Sequence, residues 1–431
     1  MPGGAKARQA ETAHLSSGPE YGIMAATDAM NSINHGSGGN GMKLPRWFEN
    51  NEKAQAMENR ALVRLNRLVK GIDRNKVVFM SFRGRSYSDN PRVISERLHE
   101  RRPETEIVWI FRERMMKDVK PELPDYVRCV GFHSRKVWGE LATARVWVDN
   151  FTKDEELWGF PAKRQFYVQT WHGDRPIKKI CYDFSPEGHR LEEVCSRVVT
   201  GSEFGMNMYR TAFRYNGEYI NEGAPRNDLL VKNDPADAAR IRKKIGVPDG
   251  VKLLLYAPTY REDNGLVHKH SQMDLSRVLN LLERNGDKWL CLYRAHYLSE
   301  GIDLESVKDR LVDMTQYGDM TELLLVSDML LTDYSSCASD YCLLDRPVFL
   351  YIADFEEYLA SRPIYYDPHD TPMMIAHNQT ELEALIQSTD AEAARRNCQA
   401  IRDWYGIHET GRATDAVCDY IIDKLGQGID R

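Results

Sequence analysis

Short runs of β-branched and aromatic residues alternate with helical periods along most of this chain, and the alternation starts afresh once. KVVFMSF (76–82), EIVWIFR (106–112), VRCVGF (127–132), ARVWVDNF (144–151), RQFYVQTW (164–171) and RVVTGS (197–202) are separated by helical stretches such as PRVISERLHERR, SRKVWGELATA and EFGMNMYRTAF. Continuous apolar strands interleaved with helices describe a parallel sheet covered on both faces. Near residue 235 the pattern resets: NDPADAARIRKKIG begins a helix with Asp234 as cap and Pro235 in the first turn. KLLLYAPTYRED, KWLCLYRAH, LVDMT, MLLTDYSS and PVFLYIAD then alternate with helices, and from about 379 only helices remain. The expected fold is α/β: two Rossmann-like, doubly wound domains in series facing a central cleft, closed by C-terminal helices. The division falls into a leader at 1–45, a first domain at 46–234 and a second at 235–431.

A chain of 431 residues can bury two cores, and 42% hydrophobic with 28% charged residues is ordinary for a globular protein. A formal net charge of -6 argues against a nucleic-acid partner. The eight cysteines are scattered, without C-x-x-C, so neither zinc nor a disulfide framework is expected, and a reducing cytoplasm is. No stretch approaches the roughly 18 apolar residues of a membrane span. Residues 1 to about 42 lack periodicity, and the G-x-G-x-x-G in their GSGGNG has neither strand before it nor helix after it. NEKAQAMENRALVRLNRLVKGIDR, from residue 50, reads as a basic helix that fits either an anionic membrane face or its own domain.

Ligands of open α/β sheets sit beyond the carboxyl ends of the strands, and the polar motifs cluster there. QTWHGDRPIKKI (169–180) places His172 where a strand ends; alone, such a histidine is more often structural. TDYSSCASD (332–340) puts Thr332, Asp333, Ser335 and Ser336 between a strand and a helix, as a phosphate site or as a well-capped helix without ligand. YAPTYRED offers Thr259 and Arg261 as phosphate contacts, or Arg261 paired with a neighbouring acid. YRAH closes the next strand with Arg294 and His296, and EGAPRNDLL sets Arg226 and Asn227 at the domain junction.

Taken in order, SFRGRSYSDNPRVISERL, QTWHGDRPIKKI, GAPRNDLL, YAPTYRED, TDYSSCASDY and RPVFLYIADFEEY resemble the CDP-glycerol glycerophosphotransferases of teichoic-acid and related capsule synthesis. The resemblance implies a GT-B architecture with the CDP-polyol donor held by the second domain. It implies transfer of glycerol phosphate to a hydroxyl of a polyprenyl-linked glycan, with CMP released at the inner face of the membrane. His172 would be the general base. His296 and Arg261 would meet the donor phosphates beside Thr332, Ser335 and Ser336, with Lys178, Lys179 and Arg226 adding charge. Gly173 would let the loop turn tightly. No cofactor is implied, and with no carboxylate cluster at metal-ligand spacing, metal dependence stays open. The chain departs from the family pattern at Asp174-Arg175-Pro176-Ile177, at His296-Tyr297 and at Pro363, which bears on acceptor and polyol choice. CDP-ribitol or another CDP-polyol as donor, a nucleotide-sugar transferase on the same fold, and a non-catalytic assembly protein are the rival readings.

Overall fold

A computed structural model describes residues 52–134, 136–151, 161–185, 194–259, 273–294 and 305–427. Helix α1 (Glu52–Lys70) leads into the first unit. Its strands are β1 (Asp73–Met80), β2 (Glu106–Phe111), β3 (Val127–Gly131), β4 (Ala144–Asp149), β5 (Phe166–Gln169), β6 (Arg197–Val199) and β7 (Tyr219–Ile220), with α2 (Asp89–Arg101), α3 (Lys136–Thr143) and α4 (Glu203–Ala212) among the connections. Among the described residues they form one sheet in the order β3-β2-β1-β4-β5-β6-β7, with every pairing parallel. All six residues of β4 are buried, as the uninterrupted apolar run requires of a strand covered on both faces.

The second unit repeats the plan. Strands β8 (Val251–Ala257), β9 (Lys288–Tyr293), β10 (Leu311–Asp313), β11 (Met329–Thr332), β12 (Val348–Tyr351) and β13 (Met374–Ala376) carry between them α5 (Met320–Val326) and α6 (Cys337–Tyr341). Their order is β10-β9-β8-β11-β12-β13, again parallel. Both sheets therefore follow the doubly wound 3-2-1-4-5-6 order, which reverses between β1 and β4 in one and between β8 and β11 in the other. At such a reversal the connections leave to opposite faces and open a crevice at the strand ends.

Two long helices close the chain, α7 (Ala391–Tyr405) and α8 (Ala413–Gly426). Helix α7 packs on the second unit through Cys398 and Ile401. Helix α8 does not: Val417, Cys418, Ile421 and Leu425 complete the core of the first unit beside Val77, Ile94 and Val146. Residues 413–426, expected with the second domain, thus return to the first. Their apolar face fits either core by composition, and the short link between the helices directs it back. Of the expected organisation, the leader lies outside the described residues. The basic helix forms as α1.

Candidate active site

His172 follows β5 by way of Trp171, whose φ of 48° turns the chain sharply into the cleft. The imidazole lies between aromatic rings: Phe151 stacks on it at 5.6 Å, and Trp171 and Phe82 approach at 4.2 and 5.3 Å. Its Nδ1 sits 2.7 Å from the backbone oxygen of Asn150. A carbonyl only accepts, so Nδ1 carries the hydrogen and Nε2 keeps its lone pair. Burial lowers the histidine pKa, as do Arg226 and Lys178, while the Asn150 contact and the Asp89 carboxylate oppose them. The ring is thereby held as a neutral base with one defined acceptor nitrogen.

Asn150 directly follows β4, at the switch point of the first sheet. Its side-chain oxygen accepts from Phe82 N at 2.8 Å, and its amide donates to Ser81 Oγ at 3.2 Å and Asp89 Oδ1 at 3.1 Å. The loops after β1, β4 and β5 are so tied into one rim.

The second sheet supplies the opposite rim. Thr332 Oγ1 donates to Ala257 O at 2.6 Å, and Asp333 accepts from Thr259 N at 2.9 Å and from Tyr334 N at 2.7 Å. These bonds stitch together the ends of β8 and β11, the second switch point. Ser335 Oγ accepts from Cys337 N at 3.3 Å, whereas Ser336, at the cap of the short α6, makes no side-chain capping bond. The two half-buried serines lie at the mouth of the turn. A Cβ on Gly173 would stand 2.7 Å from Ser336 Oγ, so glycine is what lets the histidine loop touch the serine turn across the cleft. Arg294, at the end of β9, makes no side-chain hydrogen bond or ion pair among the described residues; burial lowers its pKa while Asp319 and Asp89 pull it up. Arg261 and His296 lie outside the described residues.

The remaining predicted residues belong to the junction. Arg226 is 7% exposed and its Nη2 donates to Asp340 Oδ2 at 2.9 Å, while Asn227 Nδ2 donates to Asp340 Oδ1 at 2.9 Å and Glu409 Oε1 at 2.8 Å. The backbones of Lys178 and Ile364 form a β-bridge, and Lys179 N donates to Pro363 O at 2.9 Å, so the segments at 177–179 and 363–365 pair with one another. Asp174-Arg175-Pro176-Ile177, expected to face the acceptor, are all buried instead. Asp174 Oδ2 accepts from Thr200 Oγ1, Gly201 N and Ser202 Oγ at 2.9, 2.9 and 3.0 Å. Arg175, 1% exposed, reaches Asp340 at 2.6 Å, Glu409 at 3.1 Å and Ser339 Oγ at 3.2 Å. These residues fasten the domains together, because a buried guanidinium requires buried carboxylates. Asp89, Asn150, Asp340 and Glu409 escape a reading of sequence alone. The first two stand inside SYSDNP and WVDNF at strand ends, which is the only signal they give.

Among the described residues no three His, Cys, Asp or Glu side chains converge as a metal site, and no helix is long and apolar enough to cross a membrane. Two doubly wound sheets meeting at their switch points, with an imidazole on one rim and hydroxyls and a guanidinium on the other, fit a GT-B-type group transferase. The profile of the CDP-glycerol:poly(glycerophosphate) glycerophosphotransferases matches residues 61–423, and the chain belongs to that family. It is 31% identical over 381 residues to a teichoic acid poly(glycerol phosphate) polymerase of Bacillus spizizenii, covering 83% of this chain and 94% of that one. A teichoic acid glycerol-phosphate transferase of Staphylococcus aureus is 29% identical over 372 residues, covering 81% and 93%. The structure of the wall teichoic acid polymerase TagF superposes with a TM-score of 0.74 at 28% identity, over 86% of this chain and 93% of that one.

Proposed function

We propose that this transferase moves glycerol phosphate from CDP-glycerol to a hydroxyl of a lipid-linked glycan, with His172 as the general base. The acceptor hydroxyl gives its proton to Nε2 while its oxygen bonds to the glycerol-bearing phosphorus. The bond from that phosphorus to the bridging oxygen breaks, and CMP leaves with the electron pair. The single observation that supports this most is Gly173 against Ser336, which sets a neutral base beside hydroxyl donors at the cleft. Phosphoryl transfer depends on in-line placement and charge neutralisation more than on covalent help. We assign the donor phosphates to Arg294, whose guanidinium makes no side-chain hydrogen bond or ion pair among the described residues, with Arg261 and His296 proposed beside it from the sequence.

The lipid-linked acceptor calls for attachment at the inner membrane face, which we assign to α1. Met57, Ala61, Leu65 and Leu68 are exposed in one row, with Arg64 and Lys70 exposed beside them. Val63, on the opposite side, is buried, and Asn59 accepts from Trp138 Nε1 of α3 at 3.0 Å. An apolar row flanked by cations matches the boundary between acyl chains and anionic headgroups.

The deciding assay gives the purified protein a lipid-linked acceptor with CDP-glycerol, CDP-ribitol, or UDP- and GDP-sugars, and follows nucleotide release. CMP release with CDP-glycerol is expected. Release with CDP-ribitol alone would move the assignment to another polyol, and release from none of the CDP-polyols would end it.

A further inference from the structure

The rim of the first sheet holds a carboxylate to which nothing above gives a task. Asp89 opens α2 with φ of 61°, a left-handed conformation that a non-glycine residue holds only when its surroundings demand it. Its side chain is 14% exposed. Oδ1 accepts from Asn90 N at 2.7 Å and from the Asn150 amide at 3.1 Å. The cation beside it, Arg226, stands off at 3.8 Å and is engaged at 2.9 Å with Asp340. Asn150 is also the residue whose backbone oxygen holds His172 Nδ1. Carboxylate, amide and imidazole thus run in sequence from the loop after β1 to the base.

Among the described residues the charged groups with the largest effect on His172 are Asp89, Arg226 and Lys178, and of these three Asp89 is the negative one. Phe82, Phe151 and Trp171 cover the ring with apolar surface and supply no charge. An imidazole that accepts a proton in such a place gains a positive charge with two cations already near. Without a fixed negative charge the step would be opposed on every side.

We propose that Asp89 is a positioning residue for His172: through Asn150 it keeps Nδ1 protonated and Nε2 open, and its charge balances the imidazolium formed as the acceptor loses its proton. Asp89 itself neither gains nor loses a proton; the acceptor proton rests on Nε2 until solvent takes it. The inference rests on His172 being the base.

The test is the pH dependence of CMP release with CDP-glycerol and lipid-linked acceptor, for wild type, Asp89→Asn and His172→Ala. A base must be neutral to act, so the rate rises with pH through the histidine pKa. Loss of the nearby carboxylate lowers that pKa, and Asp89→Asn should move the acid limb down by about one unit. The plateau kcat should fall about 10-fold or more, with the KM for CDP-glycerol nearly unchanged. A lower plateau with an unmoved limb would mark Asp89 as merely structural and overturn the proposal, as would an unchanged profile. If His172→Ala keeps the wild-type rate, the base assignment itself fails, which is a separate result from an unmoved limb in Asp89→Asn. Should Asp89→Asn not fold, Asn150→Ala cuts the same link: a reduced plateau with a displaced acid limb supports the proposal, and an unmoved limb or a wild-type profile overturns it.

Discussion

A cation is available to a ligand only if the protein has not already neutralised it, and this divides the arginines at the cleft. Arg175 is matched by Asp174, Asp340 and Glu409 and Arg226 by Asp340 and Asp89, and those neighbours raise both pKa values despite burial. Arg294 has no such match among the described residues, and burial dominates its pKa. Arg294→Ala should therefore raise the KM for CDP-glycerol about 10-fold or more, the scale of one charge-assisted hydrogen bond to phosphate. Arg294→Lys should recover part of it, and an unchanged KM would remove Arg294 from the donor site. Sequence showed the arginines but not this division. Arg175 meets Asp340 across 165 residues and Asn150 meets Ser81 across 69, separations over which no spacing rule operates. His172 was readable because glycine and the strand end stand next to it in the chain.

Elements were more legible than residues, since a strand or an amphipathic helix declares itself by local period. The apolar runs became strands close to where they were expected. The helix after TDYSS is shorter than a phosphate-binding helix would suggest, only Cys337–Tyr341, so its serines matter more through their hydroxyls than through a helix dipole. Helix α1 has an outer face that no other described residue covers: Leu65 is 56% and Leu68 85% exposed. Burying two leucines in a membrane contributes about 3 kcal/mol or more. The double change Leu65→Glu and Leu68→Glu should weaken co-sedimentation with anionic vesicles more than about 100-fold, with the helical circular dichroism intact. Equal binding by wild type and variant would free α1 of that role. Wild-type binding should also decline as salt screens Arg64 and Lys70.

At the scale of the molecule, both chain crossings between the domains run through one buried charge cluster. Arg226 and Asn227 belong to the first crossing and Glu409 to the second, where its Oε2 accepts from Ala224 N at 2.8 Å. Burial pushes the Glu409 carboxyl up to about 7, with Asp174 and Asp340 adding to the effect and Arg175 opposing it. A carboxyl raised in the folded state favours folding while it is protonated in both states. That contribution is lost as pH rises from the ordinary carboxylate range through 7. Asp340 is held below its ordinary range, so it stays ionised across this window and adds no slope. Glu409→Gln should thus remove a falling contribution, so that between pH 5 and 7 its Tm falls less, or rises more, than that of the wild type. Parallel Tm curves would show that Glu409 does not titrate there.

The return of α8 to the first sheet also governs the order in which the molecule can be made. Val417, Cys418 and Ile421 are wholly buried against strands that leave the ribosome before the whole second sheet is made. The second domain holds its sheet contiguously, between Val251 and Ala376, and can close as it emerges. The first begins sooner and finishes later, its core open along one face until the last helix arrives. During synthesis the domain that carries His172 is therefore the one awaiting completion, and a nascent chain halted before residue 413 would present a finished second sheet beside an unsealed neighbour.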